Sequence, residues 1–505
     1  MYQVCKRIRS RYILRNTFAT EAPVVKPSRY GQPVFQSHPH LVLPNELTPG
    51  IPAEDYESRR RKLMDMLPDS SVAISVAAPV KYMSNSMSFS YKYRQASDFW
   101  YLTGFMEPES AIILEKTPSV PRGYRMTLFC SGRDIDKEKW DGARTSLNDA
   151  LSIFRADEVQ HISLFSSHLK SLLPTFSNIF VDTPESQRHG QFLRRSATSK
   201  SLLKYLTSSR DSDNSDCSQV ISSIRSSRRK PLSPEVAQLR AIKSPAEQKV
   251  MRTAADISGR AHAKTMRFSR PGLTEASLAA HFEYLCSLSG AQRIAYVPVV
   301  ASGPNALIIH YTHNDHVLQP NEIVLMDAGC EYNGYASDIT RSFPASGTFT
   351  EPQRDLYSAV LSAQKSLIAL CTERANVSLY DLHHLSCRRL REELTQIGFK
   401  SLHNGTLERV LYPHFLSHPI GIDLHESSHF DRNASLKDGM VVTIEPGIYV
   451  PPASDFPKAF HNIGIRIEDE VLVGKEHPIV LTVSAPKEIS DVEGACRGLL
   501  GLEPY

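Results

Sequence analysis

The sequence predicts two unequal α+β domains joined near residue 230. Three observations predict it. Between residues 51 and 130 a charged helical stretch is followed by short apolar runs of strand length. A Ser-rich interval, residues 196–230, then closes on "RSSRRK". Beyond it, two capped helix starts lead into a half whose apolar runs are short and β-rich from Ile294 onward.

The elements follow in chain order. Residues 1–20 carry Lys6, Arg7, Arg9, Arg11 and Arg15, several hydroxyl residues and no acid, with Tyr2, Val4, Ile8, Tyr12, Ile13 and Leu14 available for an apolar face. That is the composition of a mitochondrial presequence, and the continuous apolar core of a secretory signal is missing. Residues 21–50 are Pro-rich and aperiodic, which predicts a linker or a wrapping arm. A helix is expected over Tyr56–Met66, with strands at Ser71–Ala77, Ala111–Leu114 and Met126–Phe129. The Ser-rich interval reads as an exposed loop leading into a hinge. Ser233-Pro234-Glu235 and Ser244-Pro245-Ala246-Glu247 each place Ser at an N-cap and Pro at the first helical position, and Glu247 completes a capping box. Val250, Ala254, Ile257 and Ala261 continue the second at helical spacing, and a longer helical interval is expected around Gln353–Ile397.

Composition narrows the function classes. At 41% hydrophobic and 22% charged residues, the 505-residue chain has the make-up of a soluble globular protein. No apolar run approaches the roughly 18 residues that span a bilayer, so no integral membrane segment is expected. The net charge of +4 resides in the first twenty residues; without those five cations, 53 basic side chains face 54 acidic ones. A near-neutral body gives no support to nucleic-acid binding. Eight scattered cysteines without a CxxC pair read as reduced thiols.

The chemistry concentrates in "LMDAGCEYNGYASDITRSF". Asn333-Gly334 signals a type I′ hairpin, because both central residues of that turn need positive φ. A two-residue loop pairs Tyr332 with Tyr335 and Gly329 with Asp338. Asp327 then projects from the same face, and Gly329 is expected to leave open space opposite Asp338. Two neighbouring carboxylates repel unless one is protonated or a cation lies between them, so a two-aspartate acid/base pair remains one reading if nothing else joins them. Other groups are available. Glu445 ends the strand pattern "VVTIE" on the face of Thr443 and Val441. In "IGIRIEDEV", Ile463, Ile465 and Ile467 alternate with Gly464, Arg466 and Glu468, and Arg466 is placed to hold Glu468 ionised. His418 and His425 flank Gly421 in a nearly apolar segment. Singly, such residues are more often edge or ion-paired groups; together, four carboxylates and an imidazole suit a pair of dications, manganese, cobalt or zinc rather than copper.

In order, Asp327, Asp338, His418, Glu445 and Glu468 resemble the five ligands of the pita-bread metallopeptidases. The phrases "HYTHND", "DAGCEYNGYASDITRSFP", "HNIGIRIEDEV" and "RQASDFWYLTGFMEPES" resemble aminopeptidase P. "PKAFHNIGIRIED" with the basic first stretch resembles its mitochondrial branch, the Xaa-Pro aminopeptidase 3 and intermediate cleaving peptidase group. The resemblance spans roughly residues 45–490. It implies a C-terminal pita-bread, creatinase/aminopeptidase-like catalytic domain (231–490), a smaller α/β creatinase-N-like domain (51–230) before it, and a C-terminal tail (491–505). It also implies two divalent ions, foremost Mn2+, bridged by Asp338 and Glu468, with Asp327 completing one site and His418 and Glu445 the other. Glu445 would move a proton from the nucleophilic water, His310 would contact substrate, His425 would stabilise the tetrahedral intermediate, and His414 and Arg466 would support the ligands.

Ser417, Pro419, His313 and Glu426 depart from the family phrases without removing a ligand. His313, His316, His383, His384 and His403 read as surface or packing histidines. The expected activity is removal of a single N-terminal residue from peptides or imported mitochondrial proteins in the matrix. A prolidase-type dipeptidase and a non-catalytic binding protein are the alternatives. The partner is a peptide or protein N-terminus, and a homodimer is compatible with this class.

Overall fold

The computed structural model describes residues 26–84, 89–182, 221, 224–400, 402 and 405–503. The stretch 1–20, most of the Ser-rich interval (residues 196–220) and His403 lie outside the described residues. The chain divides into two compact units, Met1–Val236 and Ala237–Tyr505.

In the first unit, α1 (Ala53–Met66) opens with Glu54 and Asp55 in its first turn, where acidic side chains complement the helix dipole. It buries Tyr56, Leu63 and Met64. Six strands follow: β1 (Ser71–Val76), β2 (Ala111–Lys116), β3 (Tyr124–Cys130), β4 (Glu158–His161), β5 (Asn178–Val181) and β6 (Arg229–Lys230). They form one sheet in the order β4-β3-β2-β1-β5-β6, antiparallel at its centre and parallel on both flanks. Val72, Ile74, Ile113, Phe129 and Ile179 bury one face of it together with Phe165 and Leu169. Residues 26–50 form a packed arm: Val34, Val42 and Leu47 are buried, and Gln32 bonds the Gly104 carbonyl (2.9 Å) and the Met106 amide (2.7 Å).

The second unit contains α3 (Pro245–Phe268), which follows the helix α2 (Ser233–Ala241), and α4 (Glu275–Leu288). The capping box of Ser244 and Glu247 is formed as the sequence expects. The helical interval around Gln353–Ile397 is two helices packed side by side, α5 (Glu351–Ile368) and α6 (Leu379–Gln396). The break follows from Asn376, at φ +50°, and from Ser378, whose capping box with Asp381 starts a new helix. The expected tail, 491–505, begins inside α7 (Ile489–Cys496), whose Val492 and Ala495 belong to the main core. Their burial, rather than terminal position, decides the structure there.

Two antiparallel ribbons position the site. In the first, β9 (Ile323–Asp327) lies between β8 (Val299–Ser302) and β12 (Thr340–Pro344), with Asp327 opposite Thr340. Its outer part is the hairpin of β10 (Cys330–Tyr332) and β11 (Tyr335–Ala336), which β7 (Arg293–Ile294) flanks. Tyr332 pairs with Tyr335, and Asn333 and Gly334 both take positive φ. The Ala328 amide bonds the Ile339 carbonyl and the Ser337 amide bonds the Cys330 carbonyl, so one register runs through the whole ribbon and sets Gly329 opposite Asp338. The space at Gly329 is not open, however. A Cβ there would stand 1.8 Å from the Ser337 carbonyl oxygen, so the glycine permits close approach of the two backbones.

The second ribbon pairs β13 (Val441–Ile444) with β16 (Asp469–Leu472) and β14 (Gly447–Val450) with β15 (Ile463–Arg466). Ile444 faces Asp469 and Gly447 faces Arg466, a shared register that sets Glu445 opposite Glu468. Ile465 and Ile467 enter the core as their alternation predicts, yet Arg466 and Glu468 on the other face are also almost wholly buried. The ribbon is therefore covered on both sides.

Gly329→Ala is expected to destabilise the second unit by about 3 kcal/mol, the upper end of overpacking costs, because the atom it meets is backbone. A chemical-denaturation midpoint unchanged from the parent protein would contradict this reading.

Candidate metal centre

Asp327 ends β9, and Asp338, Glu445 and Glu468 each lie in a two- or three-residue gap between strands. At these gaps side chains can converge instead of standing perpendicular to a regular sheet. The Glu468 amide bonds the Thr340 carbonyl (3.1 Å), which joins the two ribbons beside Asp327. Residues 416–420 run along β13: the Glu445 amide bonds the Leu416 carbonyl, the Thr443 amide bonds the His418 carbonyl, and the His418 amide bonds Thr443 Oγ1 (3.1 Å). That pairing brings His418 to the carboxylates. Behind them Arg341, fully buried, donates to the carbonyls of Thr340, Glu468, Ala485 and Pro486 and to Asp469 (2.7 Å). With Lys487 it holds the Asp469 carboxyl down at about 2 despite burial.

The five predicted ligands gather in one place. His418 Nε2 lies 3.3 Å from Asp338 Oδ2 and 3.6 Å from Glu445 Oε1. Its Nδ1 donates to the Pro419 carbonyl (3.2 Å), which turns Nε2 toward the carboxylates; against burial, the hydrogen bond to Asp338 raises the pKa of the ring. One ligand atom each from Asp338, His418 and Glu468 lie within 4.8 Å of one another. Asp327 is joined to Asp338 through Tyr296, whose hydroxyl is 2.5 Å from Asp327 Oδ1 and 2.6 Å from Asp338 Oδ1.

Electrostatics points the same way. Burial, then repulsion from Asp338, Glu445 and Asp327, pushes the Glu468 carboxyl well above its ordinary range. Burial likewise raises Glu445 to about 7, against the pull of His418 and Arg466. Asp327 is raised by burial more than Arg466 lowers it. Asp338 is buried too, but its hydrogen bond to His418 and that residue's charge bring it below its usual value. The set is short of positive charge, as a two-dication site would be before loading.

Arg466 is not placed as the alternation suggested. Its guanidinium donates to Asp327 Oδ2 (2.6 Å), to Thr340 Oγ1 (3.1 Å) and to the Tyr449 hydroxyl (2.8 Å). It reaches Glu468 only through Thr340, whose hydroxyl donates to Glu468 Oε2 at 2.7 Å. Arg466 therefore compensates Asp327, and Glu468 stays raised. Tyr449 in turn meets His414 Nε2 at 2.9 Å, and His414 Nδ1 meets the Phe415 carbonyl at 3.0 Å. Burial, then the charge of Arg466, lowers His414 to about 3, so it is a neutral orienting group.

His425 stands edge-on to His418, ring centroids 4.3 Å apart. His310 is exposed. His313, His316 and His384 are exposed, and His383 stacks on Phe415, which agrees with surface and packing roles. Tyr296, Thr340 and Tyr449 were not singled out from sequence. Tyr449 could have been, since it continues the alternation from Glu445; Tyr296 follows β7 in no register relation to the aspartates.

Comparison with known proteins agrees with this architecture. Residues 249–475 match the model of metallopeptidase family M24, and residues 56–180 match the aminopeptidase P N-terminal domain. The chain is 38% identical to intermediate cleaving peptidase 55 of Saccharomyces cerevisiae, over 95% of this chain and 91% of that one. It is 34% identical to Xaa-Pro aminopeptidase 3 of Homo sapiens, over 93% and 91%. Among solved structures, Icp55 from Saccharomyces cerevisiae bound to the inhibitor apstatin superposes with a TM-score of 0.75 at 34% identity, covering 90% of this chain and 99% of that one. The chain therefore belongs to metallopeptidase family M24, with an aminopeptidase P N-terminal domain ahead of a pita-bread domain. Within that family it is a metallo-aminopeptidase of the kind to which Icp55 and Xaa-Pro aminopeptidase 3 belong.

Thr340→Val keeps the shape of a buried side chain and removes the link between Arg466 and Glu468. Activity or metal affinity is expected to fall about 10–100-fold, as for other groups that orient ligands, with little change in melting temperature. Parent-like kinetics and metal affinity would show that the hydroxyl is incidental.

Proposed function

We propose that Asp327, Asp338, His418, Glu445 and Glu468 hold two divalent ions, manganese by preference, with cobalt and zinc suited to the same donors. The enzyme then removes one residue from the N-terminus of peptides and imported proteins in the mitochondrial matrix. The observation that carries this reading is the convergence of Asp338, Glu445 and Glu468 on Nε2 of His418, with Asp327 joined to Asp338 through Tyr296. Held by these residues, two dications would supply a water of lowered pKa and Lewis acidity toward the scissile carbonyl.

The protein's own groups do the rest. Glu445, beside His418 in this set, would take the proton released as the water attacks and return it to the departing amine. His425 and His310 hydrogen-bond the substrate, His425 at the oxygen where negative charge develops. Arg466 offsets part of the burial cost of Asp327, and the chain from Arg466 through Tyr449 to His414 locks the orientation of all three. The matrix assignment is supported by the acid-free basic stretch and by similarity to an Arabidopsis thaliana relative named as mitochondrial, 36% identical over 96% of this chain.

Manganese-loaded protein is expected to cleave peptides beginning with Tyr or Leu, or Xaa-Pro-Xaa peptides, and to leave Xaa-Pro dipeptides intact. Turnover confined to the dipeptide would make it a prolidase, and no turnover with metal bound would overturn the activity. Asp338→Ala is expected to abolish activity and reduce bound metal below two ions per chain by elemental analysis. A fully active Asp338→Ala enzyme would refute the ligand assignment.

A further inference from the structure

The chain leaves the sheet at Ser302, bridges to Thr274 at Val317 and re-enters the sheet at Ile323; the strap before that bridge, residues 303–316, carries His310. Its attachment is built around one residue of another element. Glu275, the first residue of α4, is fully buried and accepts five hydrogen bonds. One carboxylate oxygen takes the Ser302 amide (2.8 Å), the Ser302 hydroxyl (2.8 Å) and Asn305 Nδ2 (3.0 Å). The other takes the Tyr311 hydroxyl (2.8 Å) and the His316 amide (3.0 Å). These partners sit at both ends of the strap and directly beside His310.

The rest of the strap is fixed against the second ribbon and the first. Gly464 in β15 lets the Ala306 carbonyl approach to where a Cβ would be 2.3 Å away. Tyr311 packs with Leu325 of β9 and Tyr449 of β14, and Ile309 packs against the same cluster. Thus the neighbours of His310 on either side are held, while His310 itself is exposed. His310 lies close enough to act electrostatically on both His414 and His425.

We infer that Glu275 is a positioning residue for catalysis: its carboxylate fixes the 303–316 strap and thereby sets where His310 meets the substrate. The inference rests on the substrate-contacting reading of His310 given above. The chemistry requires a carboxylate. Every group offered to Glu275 is a donor, and two of them are backbone amides that cannot turn away. Glu275→Gln preserves volume but turns an NH2 toward one half of the set, leaving donor facing donor.

The test is a double-mutant cycle on the metal-loaded enzyme with a peptide of three or more residues. Glu275→Gln is expected to lower kcat/KM about tenfold, mainly through KM, with metal content unchanged. In a His310→Ala background the same substitution is expected to add less than about twofold, because the group it acts through is gone. Tyr311→Phe, which keeps the packed ring and removes one donor, is expected to show the same non-additivity, and it carries the test if Glu275→Gln does not fold. Losses that multiply independently in both backgrounds overturn the inference while leaving the role of His310 intact. A His310→Ala enzyme with parent kinetics overturns both.

Discussion

Repulsion among four carboxylates in a dry interior is the constraint on which the catalytic unit depends. Asp327, Asp338, Glu445 and Glu468 project from two ribbons into one small volume, and water screens them poorly there. Two protein cations stand against them, one for each pair of ribbon ends: Arg466 on Asp327, and His418 between Asp338 and Glu445. That leaves Glu468 well above the ordinary carboxylate range and Glu445 at about 7. The unit thus stores an electrostatic deficit that cations of higher charge relieve, and metal binding to this set is coupled to proton release.

Rigidity around this volume comes from groups at its edge and behind it. The guanidinium of Arg341 is saturated by four carbonyls and Asp469, which locks the backbone on either side of Glu468. The hydrogen bonds from Arg466 through Tyr449 to His414 all run in one direction and end on the Phe415 carbonyl, two residues from Ser417 and three from His418. Glu275 performs a comparable task on the substrate side. In each case a fully buried ionic group is tolerated because every lone pair or proton it offers is matched.

Much of the site was legible because strand periodicity is strict. The Asn333-Gly334 turn fixes one register, and alternation places Arg466 and Glu468 opposite the core isoleucines. Other features were not. Gly329 reads as a missing side chain, whereas it marks a close backbone approach that only the neighbouring strand reveals. The break between α5 and α6 was hidden because the apolar spacing on both sides is helical, and local capping by Ser378 overrides it. Arg466 was assigned to Glu468 because alternation gives the face of a side chain and not its reach; a long guanidinium crosses to the other ribbon and finds Asp327.

By itself the sequence determined which residues could carry the chemistry and which faces they occupy, since these follow from residue type, turn chemistry and a period of two. It determined the helix starts at Ser244 and the hairpin at Asn333 for the same local reason. Only the tertiary structure decided how the two ribbons join at Thr340 and Glu468, which carboxylate receives the arginine, and that Tyr296 bridges the two aspartates. Those are contacts between segments that pattern does not relate. Their geometry is set by packing of the whole unit, where each buried charge must find its partner or shift its proton.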